Sequence, residues 1–213
     1  MFLRWTVCRV ADRERDSFAQ TQALGTRGRP SSGFLGQVGG WEQQDSQQAC
    51  LATFWRDENA FLRSMTLVGD AEAGEPHDQT YLALSMESFE HLLEIPAQSQ
   101  EMGDALWRAT CLTVTEYWVR KGRVPHFLSM QRRVWRPGSQ LVPGHLFGLL
   151  FKDQSLPHRF LSVHFWEQPE QVQEYRQDKA LVLMELSQLE QDVESQSQHL
   201  ILLEPRWFLK AEE

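Results

Sequence analysis

Two histidines in apolar, strand-like segments are the residues of this chain best suited to acid-base chemistry. His164 falls in the run Phe160–Trp166, where strand alternation places Ser162, His164 and Trp166 on one face. His145 lies near the start of the preceding apolar run and converges on His164 only if the strand register sets the two side by side. Because an imidazole can exchange a proton near neutral pH, we predict His164 and His145 as catalytic residues.

Each of these residues also has a structural interpretation. A histidine inside a strand is more often a hydrogen-bonded core residue than a base, and tryptophans first serve as large core residues. Small apolar pockets beside packed sheets are nevertheless common binding sites, and a flat aromatic ligand could stack among the tryptophans. The predicted ligand-binding residues are Trp41, Thr53, Trp55, Ser162 and Trp166.

Strand alternation also divides the two runs into opposite faces. One face consists of Leu51, Thr53 and Trp55 in the first run and Ser162, His164 and Trp166 in the second. The other face is uniformly apolar and consists of Cys50, Ala52, Phe54, Leu161, Val163 and Phe165. We predict that the apolar face lies under the helices and that the first face borders a cavity.

The elements that position these residues occur twice. A glycine-rich strand, Gly33–Trp41, and the strand ending in Phe54-Trp55 return as Gly144–Gly148 and Phe165-Trp166 at the same sequence separation. We interpret this as two copies of one fold unit. The glycines inside the first strand predict a β-bulge, with a ligand approaching the backbone as the alternative, and no phosphate-binding glycine motif is present.

Each copy is predicted to follow the order β-α-β-β-α-β, which is the ferredoxin-like unit. In the first copy, strands are expected over Phe2–Val10, Gly33–Glu42, Gln48–Arg56 and Thr80–Met86, with helices over Asp12–Leu24 and after Asp57. In the second, strands are expected over Leu106–Thr115, Gly144–Lys152, His158–Trp166, His199–Leu203 and Arg206–Lys210, with helices over Pro125–Trp135 and Pro169–Val193. Pro137-Gly138 should end the first of these helices, and Cys111 is aligned with Cys8.

The predicted fold class is therefore α+β, with tandem ferredoxin-like repeats forming a single-chain pseudo-dimeric α+β barrel. The predicted domains are residues 1–95 for repeat 1, 96–103 for a linker and 104–213 for repeat 2. Internal pseudo-symmetry favours a monomer, with a homodimer as the alternative.

Composition restricts the class of partner. The chain has 213 residues, of which 41% are hydrophobic, and a net charge of -8, so neither nucleic acid nor an anionic membrane is an expected partner. Cys8, Cys50 and Cys111 show no metal-ligand spacing and are interpreted as buried free thiols, with a reactive cysteine as the alternative. The first residues turn polar by Arg13, which predicts no signal peptide and a cytoplasmic location.

Three segments carry a resemblance to a known family. Leu3-Arg4-Trp5, Gly33–Trp41 and Phe54-Trp55-Arg56-Asp57 look like the YdbC-like bacterial family of unknown function, over about residues 1–95. That family resembles the dimeric α+β barrel superfamily, which includes proteins like the antibiotic-biosynthesis monooxygenases. The resemblance implies a barrel normally made by two chains, and it brings no established activity.

The superfamily suggests two kinds of activity. Cofactor-independent monooxygenation of an electron-rich aromatic needs only a dry pocket and a group that assists deprotonation. Heme-degrading members place a tryptophan and then a histidine on the helix after the counterpart of Phe54-Trp55, where this chain has Arg63 and Met65. Members like chlorite dismutase use a histidine as heme ligand, and no such motif is found here.

We therefore expect a protein of the monooxygenase-like α+β barrel class that binds a small apolar or aromatic molecule in a pocket of the barrel and needs no cofactor. A non-catalytic structural or binding protein is the alternative, and a heme-binding protein is a third.

Overall fold

The computed structural model describes residues 1–25, 32–69 and 81–211. They form a mixed α+β fold with antiparallel strands, divided into two compact units. Unit 1 comprises Met1–Ser88 and Leu203–Glu213, and unit 2 comprises Phe89–Leu202. The predicted start of the fourth strand, Thr80, lies outside the described residues. No helix in the described ranges is long and apolar enough to cross a membrane.

Unit 1 has the predicted β-α-β-β-α-β order and one further short strand. The prediction that a strand over Arg206–Lys210 belongs to the second copy was wrong, because only Leu209–Lys210 form a strand and they pair with unit 1. Its elements are β1 (Phe2–Arg9), α1 (Arg15–Gly25), β2 (Phe34–Glu42), β3 (Gln48–Trp55), α2 (Glu58–Gly69), the first part of β4 (Ala83–Pro96) and the short β9 (Leu209–Lys210). Strand β3 lies between β1 and β2, β9 pairs with β2, and β4 lies beside β1. Asp57 caps α2 as predicted, because its Oδ1 accepts a hydrogen bond from the Ala60 amide at 2.7 Å.

Unit 2 follows the same order of elements. They are α3 (Met102–Arg108), β5 (Cys111–Val119), α4 (Val124–Met130), a π-helical segment (Gln131–Trp135), α5 (Arg136–Gln140), β6 (His145–Asp153), β7 (Arg159–Trp166), α6 (Pro169–Gln177), α7 (Lys179–Ser187), α8 (Leu189–Asp192) and β8 (Val193–Leu203). Strand β7 lies between β5 and β6, β8 pairs with β5, and the part of β4 from Phe89 pairs with β6.

The predicted start of the first strand in the second copy was wrong. Residues from Leu106 to Arg108 belong to helix α3, and Trp107 is 60% exposed, so the strand begins only at Cys111. Cys111 lies opposite Trp166 in the sheet, whereas Cys8 lies opposite Ala49. The similar residues around the two cysteines therefore do not occupy equivalent positions in the two units.

The prediction that Pro137-Gly138 ends the helix over α4 was wrong, because both residues lie inside α5. Pro137 is tolerated because it occupies the first turn of α5, after the π-helical segment has changed the hydrogen-bonding pattern. Gly138 is needed for close packing, since a Cβ atom there would collide with the side chain of Leu183.

The predicted long helix begins at Pro169 but is divided into α6, α7 and α8. Gln188 separates the last two with a left-handed backbone, at φ 53°. The chain then becomes β8 at Val193, earlier than the expected strand at His199.

The assignment of strand faces was also wrong. Leu51 packs with Phe18 and Ala19 of α1, and Trp166 packs with Val172 of α6, so the face with the polar residues lies under the helices. The opposite face is equally buried, with Phe165 fully inaccessible. Because both faces of these strands are buried, polarity alone cannot identify the face that the helices cover.

A buried aromatic cluster closes unit 1. Trp207, in the turn before β9, is fully buried between Phe18 and Trp41, and its indole N–H donates to the carbonyl of Ala19 at 3.1 Å.

The three cysteines are buried free thiols, as predicted. Burial raises the pKa of Cys8 to about 11 and that of Cys50 and Cys111 to about 12.

Candidate functional site

Unit 2 contains a cavity of about 320 Å³ between its sheet and its helices. The floor is formed by alternate residues of β5, β7 and β8, including Ser162, His164 and Trp166. The roof comes from the π-helical segment, α6 and α7, including Trp135 and Tyr175. Three of the predicted site residues therefore border one cavity.

The two predicted catalytic histidines are in direct contact. His145 Nδ1 lies 2.9 Å from the carbonyl oxygen of Ser139, so this nitrogen carries the proton and donates it. His145 Nε2 is then the acceptor for His164 Nδ1, at 2.9 Å. This chain of hydrogen bonds leaves His164 Nε2 as an unprotonated nitrogen on a residue that borders the cavity. His145 is fully buried behind it.

A β-bulge brings these imidazoles together. His145 is opposite Trp166 and Phe147 is opposite Phe165, so one extra residue of β6 is accommodated between the two pairs. Gly148 is opposite His164, and a Cβ atom at Gly148 would lie only 2.6 Å from His164 Nδ1. The glycine therefore leaves the space that the His164 ring occupies.

Both imidazoles are neutral at physiological pH. Burial lowers the pKa of His145 to about 4, against the hydrogen bond to Ser139 that favours its charged form. Burial also holds the pKa of His164 well below its usual value, and the neighbouring His145 lowers it further. A neutral His164 can accept a proton from a bound molecule.

Aromatic side chains extend from the histidine pair along the cavity. The ring of His145 lies 5.0 Å from that of Trp166, which in turn lies 5.2 Å from that of Tyr175. Trp166 is held in place by its indole N–H, which donates to Thr113 Oγ1 at 3.0 Å. The wall beside His164 is thus flat, apolar and fixed.

Sequence reasoning missed the polar residues at the edges of this cavity. Gln131 and Trp135 both border it from the π-helical segment. Residues four apart share a face of an α-helix as well, but nothing in the sequence places that face at the cavity. Gln196 and Gln198 come from β8, and Gln198 donates to Thr115 Oγ1 at 3.0 Å. Residues 195–198 are all polar, so the sequence carries no apolar–polar alternation that could have located them.

The N-terminal members of the predicted site lie in another cavity. Thr53 and Trp55 border a space of about 230 Å³ in unit 1, beside Arg4 and Phe61. Trp41 borders neither cavity; it packs with Phe18 and Trp207, and the guanidinium of Arg15 lies 4.1 Å from the centre of its ring. The structure therefore divides the predicted residues between the two units.

Over the described part of the chain, no cluster of three or more histidine, cysteine or acidic side chains is arranged to hold a metal ion.

Comparison with protein-family models gives a match to the N-terminal part of the chain. Residues 2–89 match the model of a domain of unknown function, DUF4937. This segment nearly coincides with the one for which a family resemblance was predicted, and the name YdbC-like itself stays a prediction. No curated protein matches the chain in sequence.

Solved structures share the fold along almost the whole chain. A candidate monooxygenase from Lactobacillus acidophilus has a TM-score of 0.73 at 9% identity, covering 99% of this chain and 96% of that one. An anthrone oxidase-like protein has a TM-score of 0.70 at 12% identity, covering 100% and 94%. A mutant chlorite dismutase from Candidatus Nitrospira defluvii, in complex with cyanide, has a TM-score of 0.63 at 8% identity, covering 96% and 91%. The chain thus has the fold of these proteins, and within it residues 2–89 match a domain of unknown function.

Proposed function

We propose that unit 2 binds a small aromatic molecule in its cavity and catalyses cofactor-independent monooxygenation of that molecule, with His164 as the base. The observation that carries this proposal is the hydrogen-bonded pair of neutral imidazoles, which leaves His164 Nε2 free to accept a proton. The aromatic wall of Trp166 and Tyr175 provides the surface on which a flat ring can stack.

The reaction requires a substrate that supplies its own electrons. His164 Nε2 removes a proton from an activated methylene carbon, and the resulting carbanion adds to O2 to form a carbon–oxygen bond. The proton returns from His164 to the peroxide, whose oxygen–oxygen bond then breaks. The methylene becomes a carbonyl, and the second oxygen atom leaves as water with the two hydrogens of the methylene. Atoms and electrons balance with O2 as the oxidant.

The surroundings of His164 suit this chemistry. Deprotonation creates negative charge on the ring system, which hydrogen-bond donors at the cavity edge stabilise. Gln131 is 4% exposed, and its Nε2 has no hydrogen-bond partner within the described ranges of the chain. We propose that the Gln131 side-chain amide donates a hydrogen bond to the oxygen substituent of the substrate. The names of two fold neighbours, a candidate monooxygenase and an anthrone oxidase-like protein, support the same reaction class.

We also propose that the two units are tandem ferredoxin-like repeats of a single-chain pseudo-dimeric α+β barrel. A β-bulge at the corresponding position of both units supports this, since the strand register shifts after Phe34 in β2 and after His145 in β6. Gly33 and Gly144, the residues just before the two strands, both have positive φ values, of 98° and 72°. A monomer is then the expected state, and light scattering on the purified chain distinguishes it from a homodimer.

Anthrone is a suitable probe, because its single methylene lies between two aromatic rings. We expect the protein to consume one O2 for each anthrone converted to anthraquinone. His164→Asn keeps a donor for His145 but removes the base, and should lower kcat by about 10²–10⁴-fold. His199→Asn, on a partly exposed residue of β8, is the matched control and should keep the rate. An equal rate in wild type and His164→Asn, after subtraction of spontaneous oxidation, would reject the proposal.

A non-catalytic binding protein is the alternative, and the same experiment identifies it by anthraquinone binding without O2 consumption. Heme is a further alternative, because His164 Nε2 is the type of nitrogen that ligates iron when Nδ1 is hydrogen-bonded. The cavity fits heme poorly: its volume lies near the lower end of the range for ligand pockets, about 300–1,000 Å³. Titration with hemin should therefore give no Soret band that depends on His164, and a band lost in His164→Ala would favour heme.

A further inference from the structure

The cavity of unit 1 occupies the same place between sheet and helices as that of unit 2 but has different chemistry. Thr53 stands where His164 would be, and its hydroxyl donates to Gln37 Oε1 at 3.2 Å. No imidazole borders this cavity among the described residues. A proton-transfer role is therefore not supported here. Two of the polar groups that border the cavity, those of Trp55 and Arg4, can only donate hydrogen bonds.

The first donor is the indole N–H of Trp55. This residue is 2% exposed, and its Nε1 has no hydrogen-bond partner within the described residues. In unit 2, the indole N–H of Trp166 has a partner, because it donates to Thr113. In unit 1, the residue of β1 that lies opposite Thr53 is Arg4, an arginine instead of a threonine. A buried N–H without a partner is costly, and a ligand oxygen would remove that cost.

The second donor is the guanidinium of Arg4, the one charged side chain among the described residues that border this cavity. Its Nη1 donates to Ser88 Oγ at 2.8 Å, and its Cζ lies 5.2 Å from the centre of the Phe61 ring. Burial lowers the pKa of Arg4, and no carboxylate in the described part of the chain forms an ion pair with it. Within the described residues, the positive charge of Arg4 thus lies beside the cavity without a counter-charge.

The two donors meet at one aromatic ring. Phe61 contacts Arg4 on one side and Trp55 on another, with its centroid 6.0 Å from that of Trp55. Leu51 and Met65 add apolar surface to the same cavity. A ligand that matches these groups has a flat apolar body and an anionic end with two acceptor oxygens.

We propose that unit 1 holds a second small-molecule site, which binds an aromatic monocarboxylate through the Arg4 guanidinium and the Trp55 indole N–H. A carboxylate matches the planar donor arrangement of an arginine and can accept from the indole with its other oxygen. The cavity of about 230 Å³ limits the ligand to one or two rings. This proposal does not depend on the reaction assigned to unit 2.

The test uses the full chain and a matched pair of probes, 1-naphthoate and the uncharged 1-naphthalenemethanol. Isothermal titration should show that naphthoate binds about tenfold or more tightly than the alcohol, because charge-assisted hydrogen bonds outweigh neutral ones. Arg4→Met should abolish this preference. Trp55→Phe retains an aromatic ring, although a smaller one, and removes the N–H; it should weaken naphthoate binding by about three- to tenfold.

Two control variants test whether naphthoate binds in unit 1 through Arg4. Arg13→Met removes an exposed arginine and should leave naphthoate affinity unchanged, and His164→Asn should also leave it unchanged. In nitrogen–proton spectra, naphthoate should shift the indole signal that is absent in Trp55→Phe. Equal affinity for the two probes in wild type would overturn the proposal. So would a preference that persists in Arg4→Met, or a shift of the Trp166 indole without one of Trp55.

Discussion

His164 donates a hydrogen bond from Nδ1 to Nε2 of His145, over 2.9 Å. His145 in turn donates a hydrogen bond to the carbonyl oxygen of Ser139. The pair has a fixed direction, because a backbone carbonyl can only accept. His145 is therefore a positioning residue: it sets the tautomer of His164 without reaching the cavity.

Removing this acceptor should affect the rate more than binding. In His145→Leu, the Nδ1–H of His164 loses its partner, and the other tautomer, with a proton on Nε2, becomes populated. We expect kcat for anthrone to fall by about 10–100-fold with a smaller change in KM. Rescue by His145→Gln, whose side-chain oxygen can accept the same hydrogen bond, would support positioning, whereas equal losses in both variants would contradict it.

The conformation of His164 should depend on Gly148. In Gly148→Ala the new methyl group would lie 2.6 Å from His164 Nδ1 and 3.2 Å from Ile95 Cβ, so the imidazole must move. We expect a loss of about 1–3 kcal/mol in the free energy of unfolding, measured with urea. Gly103→Ala in α3 is the control, since no atom lies within 4 Å of its added methyl group. A loss no greater than that of the control would show that the ring has space to spare.

The free energy of unfolding should decrease as the pH is lowered through the range in which histidines of the unfolded chain gain protons. His145 has a pKa of about 4 in the folded protein, and that of His164 is also depressed, so both stay neutral while their unfolded forms charge near pH 6.5. The unfolded state thus binds more protons between about pH 6.5 and 4, and stability is lost as pH falls through this window. Each imidazole contributes up to about 1.4 kcal/mol per pH unit.

Urea unfolding at several pH values measures this effect. The double variant His145→Gln/His164→Gln should show a shallower decrease in stability than wild type across the window. Parallel profiles for wild type and the double variant would mean that neither histidine has a depressed pKa.

Trp207 should be a main determinant of the stability of unit 1. It is fully buried and donates to Ala19, so Trp207→Ala should cost about 3–5 kcal/mol. Trp107→Ala changes a residue that is 60% exposed and should cost much less. Thermal and urea unfolding of the two variants provide the comparison. Similar losses would mean that burial does not determine the contribution of these tryptophans.

Much of the strand order was predictable, because aromatic and β-branched runs such as Phe160–Trp166 carry a clear signal. The contact between His145 and His164 was not, since it depends on one bulged residue whose position is set by pairing between strands. The division of the long helix at Gln188 also lacked a signal, because glutamine is an ordinary helix residue and its left-handed backbone has to be imposed by packing.

The face assignment shows another limit of sequence reasoning. Alternation correctly grouped Ser162 with His164 and Trp166, but both faces of β7 are buried, so the pattern could not tell which one meets the helices. Gln131 and Trp135 were missed for a related reason. Their spacing of four residues places them on one face of the predicted helix, but the sequence does not show that this face borders the cavity.

The π-helical segment, Gln131–Trp135, gives the cavity a route by which its ligand preference can change during evolution. A π-helical turn contains one residue more than an α-helical turn, so loss of a single residue there can restore ordinary helical pairing while α4 and α5 remain. Such a deletion would change the positions of Gln131 and Trp135 at the cavity, but the histidine pair on β6 and β7 would keep its geometry. Homologous chains that differ by one residue at this point should therefore differ in the shape of the molecule they accept and share the same base.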